Sequence, residues 1–175
     1  LEPDAKSGYA YLQATRNALV KGGDHPNRIL LVSHDCYGHG AQMILLNIAK
    51  FMALTMKIRL DLVTLEAGPL LNDFKKYARV HIVTESEMLK QRYAELLSEL
   101  SSGGCSMAIV NTTVCGKMIP ILKEKNFYVL SLIHELPQLI MDYELESHTE
   151  VIAQNADKVV FPTNISLKGF RQFTQ

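Results

Sequence analysis

The chain alternates between two hydrophobic periods. Short runs of branched apolar residues recur at 29–32, 60–65, 80–83, 107–110, 127–133 and 158–161. Between them lie longer segments in which apolar positions return every three or four residues. The runs read as buried strands and the spaced segments as helices. The pattern predicts a helix over 4–21, with Tyr9, Leu12 and Leu19 near one face, ended by Gly22-Gly23 and Pro26. Residues 1–27 therefore read as a helical extension beside a main domain spanning 28–175. From about Gly40 to Met56 the sequence is apolar on most sides. Only Gln42, Asn47, Lys50 and Lys57 interrupt it, which predicts a helix buried between layers.

Further along, Glu66-Ala67-Gly68-Pro69 predicts a turn, with Pro69 leading a short helix over 70–77. Thr84 and Glu87 fit a capping box, followed by Leu89, Tyr93, Leu96, Leu97 and Leu100 at amphipathic spacing and a stop at Gly103-Gly104. After the fourth strand a helix is expected, with Pro120 in its first turn or kinking it. Two helical pieces, 139–145 and 149–155, precede the sixth strand, and a last helix runs towards Phe173. Strict strand–helix alternation requires parallel strands. The expected fold is α/β: a doubly wound, mainly parallel, six-stranded Rossmann-like sheet in the order 3-2-1-4-5-6.

Such sheets bind ligands outside the carboxyl ends of their strands. The loop after the first strand, Ser33 to Gly40, is polar and glycine-rich. Gly38 and Gly40 lack Cβ, so main chain can approach a ligand there, and the amides opening the next helix favour an anion. A tight turn without a ligand is the plain alternative. A dinucleotide fingerprint would need glycine at 43, where Met43 stands. His34 and Asp35 either line the cleft or bond to each other and order the loop. His39 faces solvent between the glycines. His134, followed by Glu135, ends the fifth strand. There it could donate to a sugar hydroxyl or phosphate, act as acid or base, or serve as a capping or core histidine. Asn111, Thr112 and Thr113 offer amide and hydroxyl groups at the same edge, although Thr113 also suits a helix N-cap. Glu66 reads as a turn residue. His25, His81 and His148 read as surface residues.

Composition narrows the classes. The hydrophobic fraction is 47%, and 18 basic residues balance 18 acidic ones, so nothing marks a nucleic-acid surface. Cys36, Cys105 and Cys115 are too widely spaced for a metal knuckle, and a reducing cytosol suits them. No histidine and carboxylate pair has metal-site spacing on one helix. In a cytosolic protein the sequons at Asn111 and Asn164 carry no meaning. The window 43–56 is too short to cross a bilayer, and no signal peptide is visible. A chain beginning at Leu1 reads as a piece of something longer.

Four stretches resemble family 4 glycosyltransferases of the GT-B fold. SHDCYGHGAQMILLNIAKFM is similar to their first loop and helix. LDLVTLEAGPLLNDFKKYARVHIV resembles their second strand, Gly-Pro-Leu turn and third strand. MAIVNTTVCGKMIPILKEKNFYVLSLIHEL resembles their fourth and fifth strands, ending in His-Glu, and NADKVVFPTNISLKGF resembles the segment before the domain's last helix. The likeness covers about Arg28 to Phe173; the adjacent glycines frequent in that family are here split by His39. The resemblance implies the N-terminal, acceptor-side half of a retaining, metal-independent transferase. Its partners would be a nucleotide-sugar donor, a sugar, lipid-linked or other hydroxyl acceptor, and a C-terminal domain of the same full-length chain, with no further cofactor. It implies His134 as the catalytic group reaching the donor sugar and Gly38 and Gly40 approaching the donor phosphate or sugar; by their place in the loops, His39, His34, Asn111, Thr112 and Glu135 are read as the other donor- and acceptor-binding residues. The expected location is the cytoplasm or the inner face of its membrane. The alternatives are an NAD(P)-binding oxidoreductase domain, which Met43 opposes, and a non-catalytic α/β binding module. A receiver-like module would need clustered acids after the first strand, where only Asp35 stands.

Overall fold

A computed structural model describes residues 27–84 and 88–174, with backbone only for 88–90. The expected helix over 4–21, His25 and the Thr84–Glu87 capping box lie wholly or partly outside the described residues. Six strands form one sheet: β1 (Arg28–Ser33), β2 (Arg59–Thr64), β3 (Arg79–Ile82), β4 (Met107–Asn111), β5 (Tyr128–Leu132) and β6 (Lys158–Val160). Their order is β3-β2-β1-β4-β5-β6, and every pair is parallel. The doubly wound Rossmann-like expectation therefore holds in order and direction. The outer strands β3 and β6 are the shortest, which limits exposed pairing edges.

Alternate residues of each strand enter two cores. On one face Ile29, Leu31, Leu60, Leu62, Ile109, Leu130 and Leu132 pack with helix α1 (Gly40–Leu54) and Phe74 of the short helix α2 (Leu71–Phe74). On the other, Leu30, Val32, Val63, Ala108, Val110 and Val129 meet four helices. These are α3 (Met88–Ser102), α4 (Ile119–Glu124), α6 (Glu146–Asn155) and α7 (Asn164–Gln172). A further helix, α5 (Pro137–Asp142), follows β5, and Pro137 packs where a Cβ on Gly169 would stand. Buried apolar area supplies most of the drive to fold.

Several expectations need correction. Helix α1 is not buried all round. Its inner stripe is Gln42, Leu45, Ile48, Ala49 and Met52, while Met43, Ile44, Phe51 and Leu54 are exposed. Apolar composition alone does not separate core from surface. The helix after β4 begins as a 3-10 turn over Thr113–Met118, and Pro120 falls in the first turn of α4 rather than kinking it. Helix α2 is shorter than expected. No described helix is long and apolar enough to cross a membrane.

Candidate functional site

The strand order reverses between β1 and β4, so their carboxyl-end loops meet at the switch point. His34, leaving β1, places Nδ1 3.1 Å from the Thr112 hydroxyl at the end of β4. Its Nε2 lies 3.0 Å from Asp35 Oδ2. A carboxylate only accepts, so Nε2 carries a proton, and in the neutral ring Nδ1 accepts from Thr112. Asp35 Oδ1 also accepts from Gln42 Nε2 at 2.7 Å and from the Tyr37 amide at 3.0 Å. The ordering role open to Asp35 is the one it takes.

Asn111 carries the network onward. Its Nδ2 donates to the Ala41 carbonyl at 3.3 Å, which turns Oδ1 towards His134 Nε2, 2.9 Å away. Nε2 of His134 is therefore a donor. Burial lowers the His134 pKa from its ordinary 6.5, partly opposed by Glu135, which favours a neutral imidazole. Glu135 accepts from the Thr113 amide at 3.1 Å, the Thr113 hydroxyl at 2.9 Å and the His134 amide at 3.1 Å. Thr113 is thus not an N-cap; it is the group being capped, with Glu135 as acceptor.

The expected site residues divide in two. Gly38, His39 and Gly40 are exposed, and His34, His134 and Glu135 are half-buried. Asn111 and Thr112 are buried, and the hydrogen bonds of their side chains end inside the protein. They hold the loops. A Cβ built on Gly38 or Gly40 meets nothing within 4 Å, so the fold itself does not require glycine at either position. The amides opening α1 have no side-chain cap and no acidic residue in the first turn. By contrast, Thr163 caps α7 through the Ser166 amide.

Two participants, Gly68 and Gln42, and the backbone strain at Thr112 escaped the sequence reading. Gly68 passes so close to the first loop that a Cβ would lie 2.5 Å from the Cys36 carbonyl, and Leu70 donates to that same carbonyl at 2.9 Å. Thr112 has φ 73° and ψ 157°, a region essentially reserved for glycine. Nothing in the letter sequence marks that strain. Gln42 read as an interruption of α1, yet it is buried beside Asp35, and its Oε1 has no partner among the described residues. Its spacing from Leu45, Ala49 and Met52 was the available signal, because all four share one helical face. His81 and His148 are half-buried rather than surface residues: His81 bonds Asp61, and His148 packs over Gly116. The three thiols are buried, and burial raises the pKa of each, Cys105 to about 11. None is set up as a nucleophile. Among the described residues no group of three or more His, Cys, Asp or Glu could hold a metal ion.

Fold and site together define an α/β domain with a polar, glycine-lined site at the switch point of a doubly wound parallel sheet. No family model matches the chain, and no curated protein matches it. Among solved structures it is similar to a UGT transferase from Siraitia grosvenorii, crystallised in complex with UDP. The TM-score is 0.46 at 11% identity, over 72% of this chain and 31% of that one. The chain thus spans about a third of that protein's length.

Proposed function

We propose that the chain is the acceptor-side half of a retaining glycosyltransferase that uses a nucleotide-sugar donor and no metal. One observation carries the reading. The uncapped main chain opening α1 at Gly40 is joined through Ala41 and Asn111 to a donor-oriented His134 on the same sheet edge. The sequence resemblance gives that edge its chemistry. In this reading the amides opening α1 face an anionic group. His134 hydrogen-bonds the donor sugar, and the acceptor lies between the loops of β1 and β4. The acceptor oxygen bonds to the anomeric carbon as the bond to phosphate breaks. The leaving phosphate takes the hydroxyl proton on the same face, so configuration is kept. The nucleotide itself is held by a second domain.

Residues 1–175 alone are expected to show no sugar transfer from any nucleotide sugar. In the full-length protein His134→Ala should lower kcat about 10²-fold with a smaller change in KM. Transfer by residues 1–175 alone, or an unchanged kcat in the full-length variant, would refute the reading.

A further inference from the structure

The opposite edge of the sheet carries a feature that the proposed transfer does not use. A cavity of about 710 Å³ opens at the amino ends of β1, β2 and β3. Arg28, Arg59, Lys75 and Arg79 line it, with Asp61 as the one carboxylate. The chain as a whole has no net charge, so this local excess of three positive charges is a concentration and not a sample of a basic surface. We propose that this cavity is a second binding site, for a phosphomonoester, at the edge away from the transfer site.

Part of the cluster explains itself. Asp61 accepts from Arg28 Nε at 2.7 Å, Arg79 Nε at 3.0 Å and His81 Nε2 at 3.0 Å, which staples the starts of three strands. That staple does not account for Arg59 or Lys75. Arg59 lies directly beside Arg28 in the β1–β2 register, and the one carboxylate there, Asp61, is already taken by Arg28, Arg79 and His81. Neither Arg59 nor Lys75 has an acidic partner among the described residues. Arg79 engages Asp61 only through Nε, so the terminal nitrogens of its guanidinium fork are not consumed by that carboxylate, whereas Arg28 Nη1 lies against Gly103. Forked donors and point charges around one opening match the several oxygens of a phosphate dianion. Ile58, Leu60, Tyr77 and Ala78 complete the wall with apolar surface. That suits an organic ester better than the bare ion. A free phosphorylated metabolite and the headgroup of a phosphomonoester lipid share this chemistry.

The test is amide-resolved NMR on the intact chain at constant ionic strength. One arm uses glycerol 3-phosphate. A second uses phosphatidylcholine vesicles doped with phosphatidic acid, and a third uses vesicles doped instead with phosphatidylglycerol, a phosphodiester. Saturable shifts at residues 59 and 75–79 are expected in the first or second arm, and which of the two responds identifies the source. The double variant Arg59→Ala, Lys75→Ala should weaken that binding about tenfold or more. Its melting temperature in phosphate-free buffer should not fall, since neither side chain has a partner to lose. The proposal is overturned by silence at these amides in both arms, by unchanged binding in the double variant, or by equal binding to the phosphodiester vesicles. None of these outcomes depends on sugar transfer.

Discussion

Two glycines differ in what the fold asks of them. Gly68→Ala places a methyl group against the Cys36 main chain and should destabilise by about 1–3 kcal/mol or more, read as a lower urea midpoint at unchanged m-value. Gly38→Ala meets open space and should leave the midpoint within about 0.5 kcal/mol. Under the proposed function it should nonetheless reduce donor binding by the full-length protein. His134 makes a second residue-level prediction. Its folded pKa is depressed by burial, so the unfolded chain takes up the proton first as pH falls below 6.5. Its contribution to stability is therefore present above 6.5 and is lost on acidification. Carbon-proton correlation spectra should show its titration midpoint below that of a free histidine. A midpoint above 6.5 would mean that the ring is stabilised as a cation. His34 and Asp35 were legible as a pair at the loop, and the geometry shows that they bond to each other. The strain at Thr112 was not legible, since backbone angles follow from the surrounding chain and not from a threonine's identity.

Elements here are held at both ends by a carboxylate, half-buried at one edge and buried at the other. At the carboxyl edge, Glu135 fastens the 3-10 turn at Thr113 to β5 through three accepted hydrogen bonds. Glu135→Ala should cost about 1–3 kcal/mol and loosen the loop that presents His134, visible as faster amide exchange at 113 and 134. At the amino edge Asp61 plays the matching part. Burial alone would raise its pKa, but hydrogen bonds from His81, Arg28 and Arg79 outweigh that effect and hold it well below the usual carboxylate range. A depressed carboxylate stabilises the fold fully above its ordinary value of 3.8 and loses that contribution as pH falls below it. Asp61→Asn should therefore lower stability at neutral pH and flatten the acid limb of the stability profile. The loss should be on the order of 2–3 kcal/mol, less than for a wholly buried pair because Arg79 is 61% exposed. Element type was legible from periodicity, as with the helix α1. Its outer face was not, because Met43, Ile44, Phe51 and Leu54 look like core residues until the packing is known.

For the whole molecule, the parallel order of the strands brings three loops to one edge and three cationic strand starts to the other. The two edges should act separately. Under the proposed function, a substitution at Arg59 should leave the kcat of the full-length enzyme unchanged when no phosphomonoester is present. A steady-state assay with and without glycerol 3-phosphate checks this.

By itself the sequence determined the α/β class, the six strands and their order. Alternating periods leave few ways to bury every apolar face, and parallel crossovers admit fewer still. It also located the glycine loop and the His134-Glu135 pair, because a strand's end is marked by its change in polarity. Only the tertiary structure decided which of those polar groups bind to one another. The His34–Thr112 bond joins residues 78 positions apart, and the Asn111–Ala41 bond joins residues 70 apart. The charge concentration at the amino edge was hidden for the same reason: Arg28, Arg59, Lys75 and Arg79 are scattered in sequence, and lateral strand pairing is what brings them together.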